Sequence, residues 1–541
     1  MDPPQAIQSV AVIGAGPSGL AVARRLLEAG LSVTVFERRA ELGGTFVNLS
    51  SHHSPGRPLR FYEEAPESGL SRVDLSQTGP LRYGGGQEYI NFPSPCYQSL
   101  KTNLITPIMS LGDFAHPEGT RLFVPHHHIL DYLHIFAREF GITPQVRCST
   151  SVVNLSKLAN NCWTVTVEPT GAVEELLVDR ISSHYAATEE FNAVVVCNGH
   201  YDVPRMPSTP GLDAWTSRWQ TSVMHSRYYR DNKPFASKTV LVVGSGVSAF
   251  DLGKEVALAA KKVIQAKRSR PADDGREADE KLIEEFTRST LPENMIQVAE
   301  ISRFGCTDGI TSMADAEVAL MDGTSLSGVD FVLLCTGYRY SAPFLRDNSS
   351  TGRGETNKTD ILSNLISADG SEMRNLHQDI FFIPDPTLAF AGVPQYITTF
   401  RIFDFQALAI AAVFGRKATL PTRVEMQAAF ARRMATRSSP VTLNFLGSTK
   451  ELSYIRSIAD WINAPEILSA AKAIEKLAQY TKRHAVEICK SRLMEGREHT
   501  NEADLLAFER LLDRKMAILS RELSKLQAQG AFGVEIAMER V

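Results

Sequence analysis

Two glycine clusters carry the spacing that binding a dinucleotide requires. The first, Gly14–Ala15–Gly16–Pro17–Ser18–Gly19, directly follows the apolar run Val10–Ile13. The second, Gly244–Ser245–Gly246–Val247–Ser248–Ala249, directly follows Thr239–Val243 and has alanine in the third place. Each small residue has its own reason. The first glycine turns the chain sharply out of a strand, the second lets a pyrophosphate approach bare backbone, and the third lets the helix lie close on the sheet. The following helix offers unpaired N–H groups and the positive end of its dipole to the phosphates.

The residue that ends the next strand selects the nucleotide. Val33–Phe36 ends at Glu37, 18 residues beyond Gly19, where a carboxylate can accept both hydroxyls of a ribose. Val263–Ala266 ends instead at Lys267–Arg268, which suit a phosphate on the ribose and favour NADP over NAD. Beyond Glu37, the run Arg38–Arg39–Ala40–Glu41–Leu42–Gly43–Gly44–Thr45–Phe46 places a glycine pair where a second loop can close over the first cofactor's phosphates.

These sites need elements to position them. The helical pattern after Gly19 runs to Ala29 and stops at Gly30, and the one after Ala249 runs to about Ala260. A further helix is expected from His126 to Phe140, with Ile129, Leu130, Leu133 and Phe136 on one face. His126–His127–His128 point around that helix and do not converge on one ion. Strands are expected at Trp163–Val167, Ala193–Cys197, Phe331–Cys335, Phe381–Pro384 and Leu388–Gly392, with a buried helix at Phe405–Phe414. Residues 47–93 read as an irregular excursion, 271–300 as charged and helical, and 348–372 as a loop. Two long helical patterns fill 466–529, where Leu505, Leu512, Leu519 and Leu526 form a seam at heptad spacing. That seam suits packing on its own chain ahead of a homo-oligomer contact.

The totals exclude several classes. The chain has 541 residues, enough for two or three domains, with 43% hydrophobic and 22% charged residues and a net charge of −4. That balance offers nothing to attract nucleic acid. Seven scattered cysteines form no C-x-x-C pair, which argues against a disulfide framework, a zinc site and a dithiol centre. Neither a secretory signal nor a membrane-spanning apolar run is visible, so a cytoplasmic protein is expected.

The fold class expected is α/β: two dinucleotide-binding Rossmann-like domains, the NADPH domain inserted in the FAD domain, plus a C-terminal helical extension. The boundaries are 1–206 and 336–450 for the FAD domain, 207–335 for the NADPH domain and 451–541 for the extension. Two such units imply a flavin together with a nicotinamide.

From about Val10 to Pro421 the sequence resembles the flavin-containing monooxygenases. The likeness rests on both glycine clusters, on Glu37 through Gly43–Gly44, on Leu100–Lys101–Thr102–Asn103, on Cys335–Thr336–Gly337–Tyr338 and on Asp385–Phe390. The family's fingerprint F-x-G-x-x-x-H-x-x-x-[FY] falls on Trp219–Tyr229. His225 and Tyr229 match it, while Trp219 and Thr221 depart, as does Phe46 where the family has tryptophan. Related Baeyer–Villiger enzymes carry tryptophan at the place of Tyr229, which disfavours that alternative.

The resemblance implies a hydride passing from NADPH to FAD, O₂ reacting at the flavin C4a to give a hydroperoxide, and a soft nucleophile, amine or sulfide, taking the distal oxygen. It also implies that Asn103 faces the flavin and nicotinamide. An amide there donates and accepts hydrogen bonds without titrating near neutral pH. A specialised metabolite oxidised at nitrogen is the expected substrate. The alternatives are an NADPH oxidase releasing H₂O₂ and a redox-sensing or scaffolding flavoprotein.

Overall fold

The computed structural model describes residues 6–48, 81–82, 88–89, 94–170, 187–268, 291–345, 364–436 and 443–463, apart from 105, 107, 118, 122 and 398. The expected helices over 466–529, most of the 47–93 excursion, and 271–290 lie outside the described residues.

Two parallel sheets organise the chain. In the first, Ser9–Ile13 lies between Ser32–Phe36 and Ala193–Val196, with Ile13 in register with both Phe36 and Val196. Val146–Arg147 adds at one edge and Leu388–Phe390 at the other, where two short antiparallel strands complete seven. Successive side chains along a strand alternate faces. Val10, Val12 and Val195 therefore join a core with the helices Pro17–Glu28, His126–Glu139 and Thr399–Phe414. Ala11, Ile13 and Val194 join a second core with the antiparallel strands Thr150–Lys157, Trp163–Pro169 and Ala187–Phe191. Burial on both faces is why these strands read as unbroken apolar runs.

The second sheet has five parallel strands in the order Val223–His225, Phe331–Leu334, Thr239–Val243, Lys262–Ala266 and Met295–Val298. Only after it is complete does the chain return, from Leu376–His377 onward, to the first sheet. The two-unit α/β architecture is thus present as expected. The chain crosses between units twice, and the crossings pair with each other, Val203 with Arg339 and Pro204 with Tyr338.

Several elements differ from the sequence reading. Met295–Val298, expected as helix, is the edge strand of the second sheet. The helices Leu212–Arg218 and Arg423–Thr436 have no counterpart in the sequence reading, while Gly447–Trp461 falls mostly within the helical extension expected over 451–541. The last of these belongs to the first core through Tyr454, Ile455, Ile458 and Ala459.

A buried ion pair locks the helix of the first glycine turn in place. Arg25 grips Asp404 of Thr399–Phe414 through two bonds, Nε to Oδ1 at 2.9 Å and NH2 to Oδ2 at 3.0 Å, with side chains 15% and 8% exposed. Burial opposes the Arg25 charge, but Asp404 more than offsets this and raises its pKa. Removing one partner would strand the other charge inside the protein. Asp404→Ala should therefore destabilise the fold by about 3–5 kcal/mol, seen as a fall in melting temperature. Glu28→Ala, at a half-exposed pair, should cost no more than about 1 kcal/mol.

Candidate active site

Backbone passes backbone at the first glycine turn with no room for a β-carbon. Gly14 has φ +103°, and a Cβ there would lie 2.6 Å from the Cys197 carbonyl oxygen. At Gly19 a Cβ would lie 1.9 Å from the Gly14 oxygen, and at Gly44, with φ +58°, it would lie 2.7 Å from Gly16 Cα. Pro17 starts the helix, where its missing N–H costs nothing. The Gly43–Gly44 loop is tied down by Gly43 N–H donating to the Ala15 carbonyl at 2.9 Å. Thr45 offers its carbonyl to the Ser94 hydroxyl, and the Phe46 ring stands 6.0 Å from that of Phe400.

Glu37 is buried, and each of its carboxylate oxygens accepts one backbone N–H: Oε2 from Ala15 at 2.8 Å and Oε1 from Arg39 at 2.9 Å. A carboxylate has about four acceptor positions, so each oxygen retains capacity for a ribose hydroxyl. The donor set fits the adenosine side of FAD. Arg38 turns aside to Asp202, at 2.9 Å.

Thr102 is tied to Val124, just before the helix His126–Glu139. Thr102 N–H donates to the Val124 carbonyl at 2.9 Å, and Val124 N–H donates back to the Thr102 hydroxyl at 3.2 Å. The same helix brings Leu130 against Gly43, where a Cβ would lie 2.2 Å from its Cδ1. Asn103 itself is exposed in a bend, and its side chain makes no hydrogen bond among the described residues.

The second turn repeats the first with one difference. Gly244 has φ +137°, and a Cβ would lie 2.3 Å from the Cys335 carbonyl oxygen. Ala249 is fully buried in the third place. One turn later Gly253 lies under the Met295 side chain, where a Cβ would lie 2.6 Å from its Cε. Gly246 is different again. Its φ of −81° suits any residue, and an added Cβ would meet only the Tyr396 hydroxyl, at 3.7 Å. The protein itself does not require glycine there, whereas a phosphate lying on the backbone does.

Ser245, Val247 and Ser248 are exposed around the second turn. Lys267 and Arg268 follow the strand Lys262–Ala266, with Lys267 N–H donating to Val298 and Arg268 ion-paired to Glu300 at 3.1 Å. Gln265, which the sequence reading passed over, lies buried beneath the turn and donates to the Gly244 carbonyl at 3.1 Å.

Thr336 and Gly337 lie at the crossing between units. The Thr336 hydroxyl donates to the Arg205 carbonyl at 2.5 Å, and the Gly337 carbonyl accepts from Arg205 N–H at 2.9 Å and from His225 Nε2 at 3.0 Å. His225 Nδ1 accepts from Arg227 N–H at 3.1 Å, which sets the tautomer. Burial pushes this imidazole down to about 4, so it is neutral at physiological pH.

One short stretch touches both turns. A side chain at Gly392 would meet Ser18 at 3.5 Å, and Tyr396, four residues on, faces Gly246. The two Cα atoms can be no further apart than about 14 Å. The glycine turns therefore both lie against this stretch, beside the carboxyl ends of the sheets, the place where open α/β sheets bind ligands. A small pocket beside Gly392 is lined by His200, whose imidazole burial pushes down to about 4, and Tyr340, whose hydroxyl donates to the Val393 carbonyl at 2.6 Å.

Comparison with known proteins decides the family. Residues 12–61 match the NAD(P)-binding Rossmann-like domain and residues 91–272 the flavin-binding monooxygenase-like family. The flavin-containing monooxygenase ustF2 of Aspergillus flavus is 31% identical over 86% of this chain and 94% of its own length. This chain belongs to the flavin-containing monooxygenases. Another such monooxygenase, iboF of Amanita muscaria, is 30% identical over 85% of this chain and 89% of its own. The structure of S-allyl-L-cysteine S-oxygenase from Allium sativum superposes with a TM-score of 0.64 at 26% identity, covering 94% of this chain and 99% of that one. As a flavin-containing monooxygenase the protein is an oxidoreductase that uses FAD and NADPH. No helix among the described residues is long and apolar enough to cross a membrane.

The contrast between the glycines gives a clean test. Gly246→Ala should leave the melting temperature unchanged and weaken NADPH binding by roughly tenfold or more, about 1.4 kcal/mol, in a fluorescence titration. Gly19→Ala should instead fail to yield folded protein.

Proposed function

We propose that this monooxygenase transfers one atom of O₂ to a soft nucleophile, an amine nitrogen in the first reading, with NADPH as the electron source. The observation that carries the proposal is the stretch Gly392–Tyr396, which touches the helix of one glycine turn and the mouth of the other. Two extended dinucleotides seated in those turns meet in one cleft.

In this reading Gly14, Gly16, Pro17, Ser18 and Gly19 hold the FAD pyrophosphate, and Glu37 and Arg38 border its ribose. Gly43, Gly44, Thr45, Phe46 and Thr102 close over it. Gly244, Ser245, Gly246, Val247, Ser248 and Ala249 hold the NADPH pyrophosphate, with Lys267 and Arg268 at the 2′-phosphate. Thr336 and Gly337 join the units at the crossing. The FAD unit comprises 1–206 and 336–450, the NADPH unit 207–335, and the setting is cytoplasmic. When bound, FAD supplies electron and oxygen chemistry that no side chain offers.

The protein's own part is orientation and proton control. Asn103 is exposed, with no side-chain hydrogen bond among the described residues, and its amide can orient an oxygen species by both donating and accepting. It holds no acidic proton to release. His200 is kept neutral by burial, so it brings no imidazolium proton into the cleft. A soft nucleophile attacks through a lone pair, so an amine reacts in its unprotonated form. Sulfur is the second reading, favoured by the likeness to a garlic enzyme whose name records S-oxygenation.

A panel of cyclic amines, hydroxylamines and sulfides, with products identified by mass spectrometry, should yield N-oxygenated products. Turnover confined to sulfides sinks the nitrogen reading, and NADPH consumption that yields only H₂O₂ sinks oxygenation altogether. Asn103→Ala should retain FAD yet form product about a hundredfold more slowly, diverting NADPH to H₂O₂. Unchanged product formation removes Asn103 from the site.

A further inference from the structure

We propose that Asp202 is a positioning residue that sets the angle between the two nucleotide units, and with it the efficiency of electron transfer from NADPH to FAD. The inference rests on the function proposed above and adds a residue that neither glycine motif contains.

Asp202 lies in the first crossing, between Cys197 and the paired Val203–Pro204. Its Oδ1 accepts from Arg38 NH2 at 2.9 Å and from Arg227 NH2 at 2.6 Å. Arg38 follows Glu37 at the end of the strand Ser32–Phe36 in the first unit. Arg227 lies in the turn Ser226–Tyr228, directly after the edge strand Val223–His225 of the second. One carboxylate oxygen thus takes a guanidinium from each unit. Arg227 is 8% exposed on its side chain and also donates to the Tyr201 carbonyl at 2.8 Å, so the second unit grips the crossing at two successive residues.

The surroundings make this carboxylate hard to replace. Burial alone would raise its pKa, and the flanking Arg38 and Arg227 charges more than offset that, holding it well below the usual carboxylate range. Arg39 adds positive charge nearby; burial, then the Arg38 charge, push it down to about 10. Without Asp202, guanidiniums from the two units would lose the carboxylate oxygen they share. The other ties at the crossing are a ladder of two residue pairs, too short to be strong alone, and single hydrogen bonds of Thr336 to Arg205 and of His225 to Gly337; Asp202 instead joins a full charge from each unit. Hydride transfer is steeply sensitive to placement, with about 1 Å of misplacement costing up to about a hundredfold. A pivot held by a charged bridge is therefore a control on rate.

The test uses the flavin-loaded enzyme and the isosteric variant Asp202→Asn, with Asp202→Glu as the conservative partner. In anaerobic stopped-flow, Asp202→Asn should keep its flavin content and its rate of reduction by dithionite. Its reduction at saturating NADPH should slow by about tenfold or more, and Asp202→Glu should recover part of that loss. Amide exchange over 203–205 and 338–340 should accelerate in Asp202→Asn. Equal NADPH reduction rates in variant and wild type, or exchange unchanged across both crossings, overturns the proposal. If the wild type itself is not bleached by NADPH, the proposed function falls, and the exchange comparison alone still decides whether Asp202 holds the crossing.

Discussion

Steric closeness at Gly14–Gly19 is the constraint on which the molecule depends. Three separate backbone segments, at Cys197, at Gly44 and within the turn itself, pass nearer than a β-carbon allows. Only such a crossing leaves N–H groups bare at the head of the helix Pro17–Glu28 while its sides stay packed. The consequences spread through hydrogen bonds. Ala15 donates to Glu37, Ala15 accepts from Gly43, and the loop after Gly44 is held by Ser94. The residues proposed to border an adenosine ribose and those proposed to cover a pyrophosphate are thereby one connected piece.

The second unit uses the same device in the same place. Gly14 presses on the carbonyl of Cys197 and Gly244 on that of Cys335. Each cysteine follows a strand lying parallel to the glycine strand, and each leads directly into a crossing between units. Both crossings therefore leave from the carboxyl edge of a sheet, beside the nucleotide turn. This is why the hinge and the chemistry share a neighbourhood, and why a neutral His225 and a charged Asp202, each bonded across the crossings, lie so near the cofactor positions.

Much of this was legible in the residues. The strands around each glycine turn, Glu37 and the helix His126–Glu139 follow from periodicity and from residues with a single steric purpose. The misses have physical reasons as well. Met295–Val298 becomes a strand because its neighbour Lys262–Ala266 offers an open edge, while the charged residues before it suggest a helix. Thr150–Lys157 mixes Asn, Ser and Lys into its alternation and declares itself only when paired with Trp163–Pro169. Gly447–Trp461 owes its place to contact with Thr399–Phe414, which local pattern does not reveal.

By itself the sequence determined the two nucleotide turns, the acid at one and the bases at the other, and the family of chemistry they imply. Those signals are short in range: a turn, a cap or a strand end depends on neighbours within a few residues. Tertiary structure alone decided that Gly392 and Tyr396 touch the two turns and that Met295 lies over Gly253. It alone brought Arg38 and Arg227 to one oxygen of Asp202. Such contacts join residues far apart along the chain, and their geometry exists only once both sheets have formed and the crossings have paired.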